Sequence, residues 1–229
     1  MKKILAIVVT AGSIAAFSSC SKSSSAPANS AKVLFFNGCA SGTSSISVNA
    51  KVNGALVNGA SNIALDANSN YQYVTAGAAD SFSFVISGLT YLTGGTGNVV
   101  ANASYTAFAG GFINAPTFLL VSDDLSAPTS GYAKVRFVNL SGDNMLESCY
   151  IGTGTAKLDS NLGLNAASPF YQVPATTGAN VFMIPANPTL QATLSNQNFS
   201  SGKIYTIVLT GTSAGTGSSA LALTVLNNN

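Results

Sequence analysis

Two stretches, Ala31–Asn37 (AKVLFFN) and Ala133–Asn139 (AKVRFVN), carry dense apolar runs behind the same Ala-Lys-Val opening. The copies lie roughly 100 residues apart, about the length of a small domain. After the first copy, Ile46, Val48, Ala50 and Val52 alternate with polar residues and end at Asn53-Gly54, a pair that favours a tight hairpin turn. Apolar runs then recur at Tyr71–Val74, Phe82–Ile86, Tyr105–Phe108 and Thr117–Val121, separated by Gly, Asn and Ser. The second copy opens the same succession. Phe170–Val173 answers Tyr71–Val74, Val181–Ile184 answers the Phe82 run, and Ile204–Val208 answers Ser104–Phe108 with its Tyr-Thr pair retained. Ala220–Leu226 closes the chain. No window keeps a helical period for ten or more residues. The pattern predicts an all-β chain: two tandem antiparallel Ig-like β-sandwiches, residues 31–123 and 132–229, joined by a linker over 124–131 whose Pro, Ser and Gly carry no strand signal. Because like-parity positions share a sheet face, Val135, Phe137, Tyr205, Ile207 and Leu209 are expected to point inward. A repeat at domain length speaks for duplication, since a solenoid would repeat every roughly 20–50 residues.

The segment ahead of the first strand has a different character. Lys2 and Lys3 precede an apolar stretch, Ile4–Phe17, too short for an ordinary membrane span. It ends in Phe17-Ser18-Ser19-Cys20, which resembles the bacterial lipobox, with Phe17 where Leu is commoner. That resemblance implies a lipoprotein signal peptide over residues 1–19, lipid on Cys20, and a flexible Ser-rich tether through residue 30. Several acyl chains on one residue would anchor the chain stably. In lipoproteins an Asp after the lipidated Cys favours the inner membrane; Ser21 stands there, which implies the outer membrane, facing the periplasm or the cell exterior. Ordinary cleavage nearby, leaving Cys20 a free thiol, is the alternative.

Composition narrows the chemistry. Charged residues make up 7% of the chain, against roughly 25% in an average soluble protein. At 47% hydrophobic residues the chain has enough apolar surface to fold, and no stretch after the leader approaches the ~20 apolar residues of a spanning helix. Of 9 basic and 7 acidic residues, Lys2 and Lys3 leave with the leader, so the remainder is formally neutral and its cations are scattered. Nucleic acid is thereby excluded as a partner, for want of a basic patch. With 0 His, Ser–His and Cys–His catalysis and His-based metal sites fall away. No catalytic constellation, cofactor site or metal site emerges.

Some residues retain candidate roles. Cys39 and Cys149 could form a disulfide in an exported protein, but the bridge would have to cross from one half to the other with Cα atoms within about 7 Å; two buried free thiols are the alternative. Asp123-Asp124 and the Asp143–Glu147 stretch could donate oxygens to calcium, although solvated loop acids are the plainer reading. An enzyme would need a deep pocket gathering two or more of Asp143, Glu147 and Asp159. Tyr71, Tyr73, Tyr150 and Tyr171 are candidates for a sugar-stacking face, against packing roles within the sandwich. Thr93–Asn98 and Gly211–Gly217 lack the Lys and following helix of a phosphate loop and are expected to be turns.

The motifs together resemble a bacterial family catalogued as domain of unknown function 4397. They are the opening strand Ala133–Asn139, the Tyr171–Ala175 stretch around Val173-Pro174, and Gly202-Lys203-Ile204-Tyr205-Thr206. The first half matches through Ala31–Asn37, Tyr73–Gly77 and Tyr105-Thr106, with Thr75 where the family usually has Pro. In the second half Glu147–Ile151 replaces the family's acidic residue and Val-Tyr-Val strand. The resemblance implies two tandem β-sandwich copies in an exported protein without assigned activity. The expected function is a non-enzymatic cell-envelope lipoprotein, a structural or interaction module whose partner is an envelope protein or glycan. A glycan-binding module and an adhesive or fimbrial-type subunit are the alternatives.

Overall fold

The computed structural model describes residues 26–42, 45–86, 90–143, 145–152 and 157–229; the leader, Cys20 and the tether up to residue 25 lie outside them. The first half forms β1 (Ser30–Asn37), β2 (Val48–Val52), β3 (Ala55–Leu56), β4 (Ala67–Asn68), β5 (Gln72–Thr75), β6 (Gly77–Ile86), β7 (Thr90–Val99), β8 (Ser104–Phe112) and β9 (Ala115–Ser122). The second forms β10 (Tyr132–Asn139), β11 (Glu147–Gly152), β12 (Lys157–Leu162), β13 (Ala166–Ala167), β14 (Tyr171–Pro174), β15 (Thr176–Pro185), β16 (Ala192–Phe199), β17 (Ile204–Thr210) and β18 (Ala222–Asn227). The expected all-β sandwich architecture is what the chain adopts. Asn53 and Gly54 both take positive φ, 50° and 80°, as a tight hairpin turn requires.

Each half pairs two sheets. In the first, β4 and β5 flank one side of β1, β8 and then β9 the other, and the opposing sheet runs β3-β2-β6-β7. The second half repeats this order with β13 and β14, β10, β17 and β18 in one sheet and β12-β11-β15-β16 in the other. Even the register repeats: Val33 lies opposite Tyr105 as Val135 lies opposite Tyr205, and Phe36 pairs Asn68 as Val138 pairs Ala167. Pairing between strands is antiparallel except for β1–β8 and β10–β17, which are parallel.

Side-chain parity explains why β1 and β10 read as unbroken apolar runs. Odd-numbered Ala31, Val33 and Phe35 enter the first half's own core with Tyr105 and Ala107. Val135, Phe137, Tyr205, Ile207 and Leu209 form the second half's core, as their alternation predicts. Even-numbered Leu34, Phe36 and Phe108 turn the other way and join Val138, Leu140, Val208 and Leu226 in a third core shared by the halves. The sheets containing β1 and β10 are therefore covered on both faces, the condition under which strands lose their polar alternation.

Three repeated polar devices hold this frame. The Asn that ends each opening motif ties down the following loop: Asn37 donates to the carbonyls of Ile46 (2.9 Å) and Ile63 (3.0 Å), and Asn139 to those of Met145 and Leu162 (both 3.1 Å). Where β4 gives way to β5, Ser69 Oγ accepts the Phe35 N–H at 3.0 Å, and Ser168 does the same for Phe137 at 2.9 Å. Buried Tyr105 and Tyr205 accept the backbone N–H five residues upstream, from Val100 at 3.0 Å and Ser200 at 3.2 Å.

One expectation is corrected. Thr93–Asn98 is not a turn but the middle of β7. Its glycines are there for close approach: a Cβ on Gly95 would meet the Phe118 ring, one on Gly97 the Leu120 side chain, and one on Gly94 the Phe82 carbonyl. β9 thus lays its side chains over a bare stretch of β7. The Gly211–Gly217 stretch does lie in the connection between β17 and β18, closed by a short 3-10 turn at Gly217–Ser219.

Candidate functional site

The densest polar cluster lies between the two halves, at the end of the shared core where β1 and β10 begin. Arg136 occupies an even position of β10, so its side chain points into the shared core and is 2% exposed. The guanidinium pairs with Asp123, which follows β9, at 2.5 Å, and the Asp123 side chain is fully enclosed. Asp123 Oδ1 makes no well-angled hydrogen bond and is held by the Arg136 charge alone. Its Oδ2 accepts from Tyr71 Oη at 2.6 Å and Thr106 Oγ1 at 2.8 Å. Arg136 Nε donates to Thr206 Oγ1 (2.9 Å), Nη1 to the Ser122 carbonyl (3.1 Å) and Nη2 to Thr106 Oγ1 (3.2 Å). Thr206 in turn donates to Asn228 Oδ1 at 2.8 Å, and Asn228 Nδ2 donates to Tyr71 Oη at 3.1 Å. The donors and acceptors close a ring through both halves.

Repeat-related positions build this ring with different residues. Register places Leu34 where the second half has Arg136, Thr106 where it has Thr206, and Tyr71 where it has Phe170. Asp123 likewise corresponds to Asn228, each following the partner of its half's buried Tyr. Phe170 covers the Arg136 guanidinium, its ring centre 4.8 Å from Cζ, a geometry that favours a cation. A buried pair of this kind needs its remaining hydrogen bonds filled to offset desolvation, and the threonines, tyrosine and asparagine fill them. Burial, and then the Asp123 charge, pushes the Tyr71 phenol well above its ordinary range. The arrangement is a clamp: the hydrogen bonds and charge of Arg136 are taken up within the protein.

A second joint lies at the opposite end of the same core. Leu140 packs over Gly110, where an added Cβ would sit 2.8 Å from the leucine Cβ. At the repeat-related position, Thr210 packs over Gly38, again at 2.8 Å. The Gly111 N–H bonds the Leu140 carbonyl at 3.0 Å, and Thr210 Oγ1 donates to Asp66 at 2.9 Å.

The residues singled out from the sequence are dispersed by the fold. Cys39 and Cys149 are both free, and each is buried in the core of a different half, so the possible bridge does not form. Burial raises the Cys39 thiol to about 11, and burial with the Asp159 and Glu147 charges raises Cys149 further. Asp123, read as an ordinary solvated loop acid, is instead the buried anion of the clamp. Asp124 beside it is 60% exposed and bonds Lys134 Nζ at 2.6 Å, which with Ser126 lowers its pKa to about 2. Asp143 accepts the Ser213 N–H at 2.6 Å, and Asp159 accepts the Tyr171 hydroxyl at 2.9 Å. Glu147 is 4% exposed, and burial followed by the Asp143 charge lifts its pKa to about 7. Among the described residues, no three of Cys, Asp and Glu cluster as metal ligands. Tyr71 belongs to the clamp, Tyr171 bonds Asp159, Lys157 lies 6.0 Å over the Tyr150 ring, and Tyr73 is 43% exposed on β5. They form no common face.

Among the described residues no helix is long and apolar enough to cross a membrane. A family model described as "Domain of unknown function (DUF4397)" matches residues 31–145, which takes in the first sandwich, the linker and β10. No curated protein matches the chain. A crystal structure described as that of a "putative cell adhesion protein" from Bacteroides fragilis is 12% identical, with 87% of this chain and 97% of that chain covered and a TM-score of 0.25. That score is too low for the likeness to bear on this chain's fold or function.

Proposed function

The chain belongs to the DUF4397 family, and we propose that it is a non-enzymatic interaction module of the bacterial cell envelope, held at the outer membrane by lipid on Cys20. The observation that carries the module reading is the clamp: Arg136 and Asp123 join β10 to the end of β9, and Tyr71, Thr106, Thr206 and Asn228 take up the hydrogen bonds around them. The polar groups that a catalytic cleft would present to a substrate are committed here to fixing two sandwiches in one body. A rigid double sandwich on a Ser-rich tether suits a protein that presents surfaces. The repeated strand order supports reading the second half as a second copy of the same domain.

Of the alternatives, the fimbrial one draws least support. Donor-strand assembly needs a terminal strand that can leave its own sheet. Here β1 is flanked by β5 and β8, and β18 is paired along its length with β17.

Metabolic labelling with a fatty acid and fractionation of the envelope test the address. The chain is expected in the outer-membrane fraction with label, and Cys20→Ala should release it unlabelled. A membrane-bound, unlabelled Cys20→Ala protein would refute the anchor. Chemical cross-linking in intact cells tests the module reading, which predicts a discrete adduct with an envelope component; recovery of uncross-linked chain alone at saturating reagent would count against it.

A further inference from the structure

We infer that the first half carries a binding groove for a neutral oligosaccharide, between the edges of its two sheets beside Tyr73. This rests on reading the chain as an interaction module, but not on its lipid anchor. A groove of about 480 Å³ runs between the β2–β3 hairpin and β5. The strands on its rims, β3 and β5, are the edge strands of their sheets. Its lining holds no ionisable group other than the Tyr73 phenol: amides and hydroxyls come from Asn58, Gln72 and Thr75, and apolar surface from Leu56, 55% exposed. Tyr73 pairs Lys32 and shares its face of the sheet, so its ring, 43% exposed, stands at the rim between this groove and a smaller hollow of about 260 Å³, with Lys32 Nζ 5.9 Å from the ring centre. Half-exposed tyrosine combines an apolar ring with a polar tip, and a concave site with few polar groups around an apolar wall suits a small ligand. The groove's own lining between the sheet edges holds no ion, which favours a neutral ligand there, because a charged one would be desolvated away from the Lys32 cation on the far side of the Tyr73 ring.

The second half supplies the contrast. At the repeat-related edge, Tyr171 stands where the first half has Gln72, and its hydroxyl bonds Asp159 of β12 at 2.9 Å, fastening one sheet edge to the other. β12 spans six residues where β3 has two. In the first half Gln72 turns aside: its amide fills the space that a side chain on Gly59 would need, and Nε2 donates to the Asn70 carbonyl at 3.1 Å. The lock is therefore absent where the groove opens.

The test is calorimetric titration of the full mature chain, in zwitterionic detergent, with neutral tetra- to hexasaccharides of glucose, galactose, mannose and N-acetylglucosamine. At least one class should bind. Tyr73→Ala should weaken that binding at least tenfold, and Gln72→Tyr with Asn58→Asp, which imitates the lock of the second half, should do the same. Tyr132→Ala, removing an exposed tyrosine from another strand, should leave it unchanged. Circular dichroism establishes that each variant is folded, and the two groove variants serve as independent checks should one fail to fold. The inference is overturned if no sugar class binds, or if a folded groove variant binds as the parent does. It is equally overturned if an extended Val/Thr peptide, added as a strand along β5, occupies the groove in place of sugar.

Discussion

Leu140 of the second half lies over Gly110 of the first, with no room between them for a methyl group. At the repeat-related contact the large side chain comes from the other strand of the joint but again from the second half, where Thr210 lies over Gly38 of the first. The two contacts therefore have the same sense: the second half supplies the bulk and the first half the hollow at both. Identical halves would carry one residue at Gly38 and Leu140 and one at Gly110 and Thr210 and would make two equivalent contacts; here the large and small partners are exchanged between the two strands of the joint.

Gly110→Ala should accordingly destabilise the protein by about 1–3 kcal/mol, the usual cost of overpacking. Leu140→Ala should cost about 2–5 kcal/mol through the cavity it leaves. The double variant should cost less than the sum, because the new methyl group enters space the leucine vacated. Urea unfolding of the three variants measures this, and strict additivity would show that the two residues do not share the joint.

The Arg136–Asp123 clamp predicts a different pattern. Removing one member leaves an enclosed charge without its partner, so Arg136→Ala or Asp123→Ala should each cost about 3–5 kcal/mol. Replacing both, as Arg136→Met with Asp123→Leu, should be milder than either single change, since apolar replacement of a whole buried pair is often tolerated. Thermal unfolding in the same buffer decides between this and a simple sum.

The sequence carried the frame of the fold more clearly than the joint. Alternation in Val135, Phe137, Tyr205, Ile207 and Leu209 pointed to one core face, and those residues do share a core. The dense run in Ala31–Asn37 reflects a strand covered on both faces, a condition that removes polar alternation. The parallel pairing of β1 with β8 was not legible, because its partners lie about 70 residues apart, as in Val33 and Tyr105. β7 was hidden by its glycines, whose pattern matches a loop until Phe118 and Leu120 are placed over them. Arg136 was the available signal for the clamp: a lone cation between Val135 and Phe137 in an apolar run must find a buried counter-charge. Asp123 gave no matching signal, since it adjoins a Pro- and Ser-containing linker where acids are ordinarily solvated.

The two core thiols should be inert in the native protein. Both are buried with their pKa values raised, and thiolate is the reactive form. Iodoacetamide at pH 8 should leave Cys39 and Cys149 unmodified until denaturant is added, and mass spectrometry should then find both alkylated. A mass of the unreduced chain lower by two hydrogen atoms, restored by a reductant, would instead reveal a bridge.

Glu147 makes stability depend on pH in a direction opposite to that of a paired carboxylate. Burial, with Asp143 nearby, raises its folded pKa to about 7 from an ordinary 4.5. The folded state therefore binds more protons than the unfolded state between those values, and stability falls as pH rises through that window. Below about pH 4.5 the group is protonated in both states and carries no penalty; above about 7 the full penalty applies, on the order of 3–4 kcal/mol at most for a shift of this size. Asp124, with its pKa lowered to about 2, acts in the other sense, but only in more acidic solution. Glu147→Gln should thus raise stability at pH 8, change little at pH 4.5, and flatten the profile between. Denaturant midpoints at half-unit pH intervals measure the two curves, and parallel curves would show that Glu147 is not the titrating group.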